Sequence, residues 1–181
     1  MDEEHFPATL DPSYTSVIKA DPYGETIDLL HGRLAYALAQ VIAACDAEPN
    51  GPRAILICTH AACMIAMGRV LTGVMPEDFA DDDFQCYTAS CSVYRRRGRG
   101  RVGGGEKKWD AEKPGEVSEV RWKGVGIAGG WECERNADCS YLSGGEERGW
   151  KFHGDESFLV DPNSFNDAVL EQTERGKGSR L

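Results

Sequence analysis

Apolar positions along the first half of the chain change period twice. Between residues 25 and 46, "ETIDLLHGRLAYALAQVIAACD" sets Ile27, Leu30, Leu34, Leu38, Val41 and Cys45 at steps of three and four, the stripe of an amphipathic helix. Gly24 precedes it, Glu25 and Asp28 suit the positive end of its dipole, and "EPNGP" at 48–52 stops it. "RAILIC", residues 53–58, then reads as a short, fully apolar strand of the kind that parallel sheets bury on both faces. After Thr59 and His60 the pattern turns helical again over "AACMIAMGRVL", and Gly73 stands where a helix-ending glycine is expected. His60 therefore falls between a strand end and a helix start. In open α/β sheets ligands bind there, and the free amides of the helix favour anions. Position alone leaves two readings: a histidine that donates to a phosphate, or one that merely caps the helix after Thr59.

The second half alternates at a shorter period. "SCSVYRRR" at 90–97 and "VSEVRWK" at 117–123 are strand-like, and the glycine- and aromatic-rich run from Gly129 suggests short strands joined by tight turns. Trp131, Tyr141, Trp150, Phe152 and Phe158 are candidates to close a small β-core or to anchor a partner. A segment this short needs another surface to fold on, either the α/β part or a second chain. Glu146 and Glu147 read as solvated turn residues.

Composition then divides the chain. Residues 95–108, "RRRGRGRVGGGEKK", hold seven Lys/Arg, one Glu and five glycines, and they separate acidic parts with four Lys/Arg against fourteen Asp/Glu before and nine against fifteen after. The stretch reads first as a solvated, flexible linker. The functional alternative is a nucleic-acid contact through Arg95, Arg96, Arg97, Arg99 and Arg101, weakened by the lack of interleaved aromatics. A net charge of −10 over 181 residues argues against a general polyanion-binding surface. No apolar run approaches the ~20 residues of a membrane helix, and the acidic start is unlike a signal peptide, so an intracellular protein without a membrane partner is expected. Seven cysteines, an odd number without tight spacing, make a poor disulfide framework; Cys45, Cys58, Cys63, Cys86 and Cys91 read as packing residues. Cys133 and Cys139 lack zinc-site spacing, so no metal is expected.

The order Gly24-Glu25-Thr26, Arg33 on the same helix, an apolar strand ending in Thr59-His60-Ala61-Ala62, a helix ending "RVLTG", then "MPEDF" and "SCSVYRRR" resembles the C-terminal half of a histidine phosphatase (phosphoglycerate-mutase-like) domain over residues 10–97. The resemblance implies an α/β fold, an incomplete three-layer sandwich with a mainly parallel sheet, followed here by a small β-rich C-terminal extension. It makes His60 the supporting histidine of a phosphate pocket, with Glu25, Thr59 and Ala61 as substrate-binding neighbours and no metal or organic cofactor. Such domains open with an Arg-His-Gly strand carrying the nucleophilic histidine, and this chain has none. "LHGR" at 30–33 lacks the preceding arginine and falls within the first helix, so His31 reads as a surface or interhelical histidine and Arg33 as a structural ion-pair partner. The N-terminal "HFPATLDPSYTSVIKADPYGET", with Pro7, Pro12 and Pro22, reads as a connection into that helix. The organisation expected is a partial domain at 1–97, a basic linker at 98–108, a β-rich extension at 109–160 and a mobile tail at 161–181, in a truncated product without phosphatase turnover. If such a site were active, its substrate would be a phosphorylated small molecule or phosphoprotein. The same combination is similar to fungal proteins related to the phosphatase-like subunit of transcription factor IIIC. That implies the alternative, a nuclear assembly subunit for RNA polymerase III transcription that binds a protein through residues 109–160.

Overall fold

A computed structural model describes residues 13–79, 81–105 and 107–152. The first helix, α1, spans Ile27–Ala47 and begins where the pattern places it. The Thr26 hydroxyl accepts a hydrogen bond from the Leu29 amide at 3.2 Å, satisfying one of the free donors of the first turn. Its buried face is broader than the six-residue stripe, taking in Leu30, Leu34, Leu38 and Ile42 together with His31, Ala35, Tyr36 and Ala39.

The second helix, α2, spans Ala61–Thr72 and ends at Gly73, whose φ of +83° lets its amide donate to the Arg69 carbonyl at 2.8 Å. A β-carbon on Gly73 would also meet the Gly126 backbone nitrogen at 2.2 Å, so this helix end and the 124–126 turn are joined through a glycine. Ala66, Met67, Val70 and Leu71 of α2 pack against α1.

Four short strands follow. Strand β1, Cys91–Arg96, pairs antiparallel with β4, Trp131–Asp138, placing Tyr94 opposite Cys133 and Arg96 opposite Trp131. Strand β2, Gly103–Gly104, pairs antiparallel with β3, Val120–Arg121. A 3₁₀ turn at Ile127–Gly129 leads into β4. Val120, Trp122, Ile127 and Ala128 are buried in the same core as α1 and α2, so the C-terminal segments form the third wall of a helix-based core.

The architecture is mixed α and β, with both strand pairings among the described residues antiparallel. The expected buried strand at 53–58 is corrected: among the described residues it joins no sheet, and Ile55, Leu56 and Ile57 are 46%, 85% and 47% exposed. A strand is completed only by neighbours that take its amides and carbonyls, and the described strands pair with one another instead. Cys58, expected to pack, is exposed for the same reason. The basic stretch also departs from a free linker, because Gly103 and Gly104 lie within it and are paired to β3. Phe158 and the tail at 161–181 lie outside the described residues.

Candidate functional site

His60 is the residue at which the extended run turns into α2. Its backbone is extended, its side chain makes no capping hydrogen bond, and it is exposed. The capping alternative is thus not used, and the first-turn amides of α2 have no side-chain acceptor from His60. Thr59 is exposed and Ala61 half-buried beside it. Glu25, just ahead of α1, grips Arg33 with both oxygens, one on Nε and one on Nη2, the latter at 2.7 Å. The expected ion pair of Arg33 is therefore present. Arg33 is raised further above its already high ordinary value, first by the Glu25 hydrogen bond and also by the Cys63 thiol nearby. Because Cys63 lies in the first turn of α2, three residues after His60, the Glu25–Arg33 pair stands beside the helix start that His60 precedes. Free first-turn amides and an adjacent guanidinium suit an anion. The Glu25 carboxylate already occupies both facing nitrogens, so an incoming phosphate would have to compete with it.

A concavity lies against the first turns of α1. It encloses about 800 Å³ and is lined by Asp28 and His31 of α1, Gly103 and Gly104 of β2, and Glu119 and Trp122 near β3, with none of the expected site residues. Of the two readings of His31, surface or interhelical, the surface one is excluded, since the residue is 2% exposed. Its Nδ1 lies 2.7 Å from the Ile27 carbonyl, so Nδ1 carries the proton and donates. The ring stacks on Trp122 at 5.8 Å and 10°. Burial, opposed by that hydrogen bond and aided by the charge of Arg69, pushes the imidazole below its ordinary 6.5. Nε2 is then a lone-pair acceptor, and it has no partner.

Arg69 is the centre of a buried polar cluster. Fully buried in α2, it binds Asp83 through Nη2 at 2.8 Å and Nε at 2.9 Å, and Nη2 also reaches the Phe79 and Asp81 carbonyls at 3.2 Å. The Phe152 ring covers its guanidinium at 5.1 Å. The signal was present in the chain as one arginine inside an apolar helix, followed by Asp81-Asp82-Asp83, but spacing does not pair residues fourteen apart across a loop.

Three of the five arginines read as nucleic-acid candidates have intramolecular partners. Arg95 pairs with Glu134 across the β1–β4 ladder. Arg96 donates to both Asp46 oxygens at 2.8 Å and to the Ala128 carbonyl at 2.9 Å, and its guanidinium lies 5.8 Å from the Trp131 ring centroid. Arg97 reaches the Thr72 carbonyl at 3.2 Å, at the end of α2. Arg99 and Arg101 remain exposed. Arg95 and Arg97 are exposed as well, so four of the five face solvent. Among the described residues no three His, Cys, Asp or Glu side chains gather as a metal set, and no helix is long and apolar enough to cross a membrane.

Comparison with family models, characterised proteins and solved structures finds no match to this chain.

Proposed function

We propose that this chain carries the supporting half of a histidine-phosphatase-type phosphate pocket, centred on His60 with Thr59, Ala61 and Glu25 around it, and that it turns over no phosphate ester by itself. The observation that carries this reading is the uncapped start of α2: an exposed His60 side chain next to free helix amides, with the Glu25–Arg33 pair alongside. His60 and the helix amides suit a phosphoryl oxygen, and Arg33 joins them only by giving up its Glu25 partner. They supply no nucleophile, because the 181 residues hold no Arg-His-Gly strand, and His31, the one histidine followed by Gly-Arg, is buried against Trp122. The finer fold belongs to the same proposal: a mainly parallel, three-layer sandwich requires further strands beside 53–58. Assay of the purified chain on a generic aryl phosphate tests the reading. No hydrolysis above the buffer rate is expected; hydrolysis that disappears in His60→Ala would overturn it.

A second reading, a non-catalytic assembly subunit of a transcription factor IIIC-like complex, draws support from two exposed aromatics in the β-rich end. Tyr141 and Trp150 are 60% and 41% exposed, and aromatic side chains anchor protein interfaces. Tyr141→Ala/Trp150→Ala should release a bound protein partner in a pull-down with recombinant subunits of such a complex. Retention of every subunit would remove this reading.

A further inference from the structure

Arg97-Gly98-Arg99-Gly100-Arg101 joins β1 to β2, and the arginines of this region differ in what holds them. Arg96, its side chain 16% exposed, is fixed on both Asp46 oxygens and on the Ala128 carbonyl. Arg95 faces solvent but pairs with Glu134, and Arg97 reaches the Thr72 carbonyl. Arg99 and Arg101 are exposed, with no hydrogen bond or ion pair of their side chains among the described residues. Of these two, Arg99 has a glycine on each side.

The backbone fixes where Arg99 stands. The Gly100 amide donates to the Gly98 carbonyl at 3.1 Å and to the Ala128 carbonyl at 3.2 Å. Arg99 is thus the central residue of a tight turn seated on the 3₁₀ segment Ile127–Gly129. A β-carbon on Gly100 would lie 2.6 Å from the Gly129 backbone nitrogen, so the seat admits no side chain there; one on Gly98 would meet nothing within 4 Å. An exposed guanidinium therefore stands on an anchored turn, and neither neighbour carries a side chain beside it. An enzyme that draws one guanidinium into a channel has no ion pair to break here, and the two glycines let the backbone come close to the channel mouth.

We propose that Arg99 is an arginine N-methylation site, taken by a protein arginine methyltransferase with S-adenosylmethionine as the methyl donor. A terminal guanidinium nitrogen attacks the sulfonium methyl carbon. The N–C bond forms as the C–S bond breaks, and the C–S electron pair stays on sulfur as a neutral thioether. One N–H proton leaves to a base of the enzyme, so the modified side chain remains a monocation. It keeps its charge and loses a hydrogen-bond donor, which weakens bidentate contacts with acidic partners. This modification is independent of any phosphate bound at His60.

Incubation of the full chain with a recombinant arginine methyltransferase and isotope-labelled S-adenosylmethionine, read by peptide-resolved mass spectrometry, tests the proposal. A Gly-Arg-Gly peptide known to be a substrate is methylated in the same reaction as the control for enzyme activity. Label should enter Arg99 at least about tenfold faster than Arg96, which must first give up its charge-assisted bonds to Asp46. Arg99→Lys keeps the positive charge and should remove the larger part of the label from the chain. No methyl group on Arg99, label entering Arg96 as fast as Arg99, or an Arg99→Lys chain that keeps most of its label would overturn the proposal.

Discussion

The two mainly apolar stretches on either side of Thr59-His60 have opposite fates. Ala61–Thr72 is a helix whose Val70 and Ala66 are fully buried; the run 54–58 is extended and leaves Leu56 85% exposed. A helix satisfies its own amides and needs a neighbour on one face only, which α1 provides. A strand needs a partner along at least one edge as well as cover for its faces, and among the described strands none pairs with 54–58. Hydrophobicity thus places a segment in a core only where the chain also supplies its hydrogen-bond partners.

The largest loss of stability is expected at the polar centre of the helical side, around Arg69. Asp83→Ala leaves the buried Arg69 guanidinium without its counter-charge and should cost about 3–5 kcal/mol in urea unfolding. Arg69→Met, which removes the charge and keeps much of the volume, should cost clearly less than Asp83→Ala. If the two variants were equally destabilised, the uncompensated charge would not be the cause.

Truncating one leucine on each side sharpens the contrast. Leu71→Ala should cost about 2–5 kcal/mol, as for a buried core leucine, against roughly 0.5–1 kcal/mol for Leu56→Ala. Equal losses would show that residues 54–58 belong to the same cooperative core.

Acid should act on the helical side through His31. Its folded pKa is lowered, so below pH 6.5 the unfolded chain takes up a proton that the folded chain refuses. The His31 contribution to stability is complete above that range and is lost as pH falls from about 6.5 toward the lower folded value. Unfolding midpoints at pH 7.5 and 5.5 should differ in the wild type, and His31→Phe should reduce that difference; an unchanged difference would place the titration elsewhere. The smallest effect is expected at Arg97→Ala, where losing the contact with the Thr72 carbonyl should cost about 1 kcal/mol and lower the melting temperature by a few degrees.

The elements readable in the chain were those specified by neighbours in sequence. The Leu30-Leu34-Leu38 stripe, the acidic residues after Gly24 and Gly73 at the end of α2 each depend on residues within one or two turns, and both helices appear where these place them, whereas the Thr26 cap emerges only in the structure. Cys91–Arg96 and Trp131–Asp138 are likewise strand-like by local pattern, but their pairing with one another joins residues about forty apart, and no local periodicity encodes that register. Trp122 was legible only as a member of an alternating run; its burial against His31 follows from the β2–β3 pairing that brings it back onto α1. At the candidate site, His60 stands at the helix start expected from the change of period, while the approach of Arg33 and Glu25 to Cys63 is set by how α1 packs on α2.

Helix α2 is part of the buried core, whereas the extended run before His60 lies outside it. Residue-resolved hydrogen exchange of the full chain at increasing low urea concentrations measures this directly. Residues 64–72 should exchange only through global unfolding, with a steep urea dependence, whereas 54–58 should exchange at least about 100-fold faster through a local opening that urea hardly affects. A single opening free energy and a single urea slope for both stretches would contradict the account.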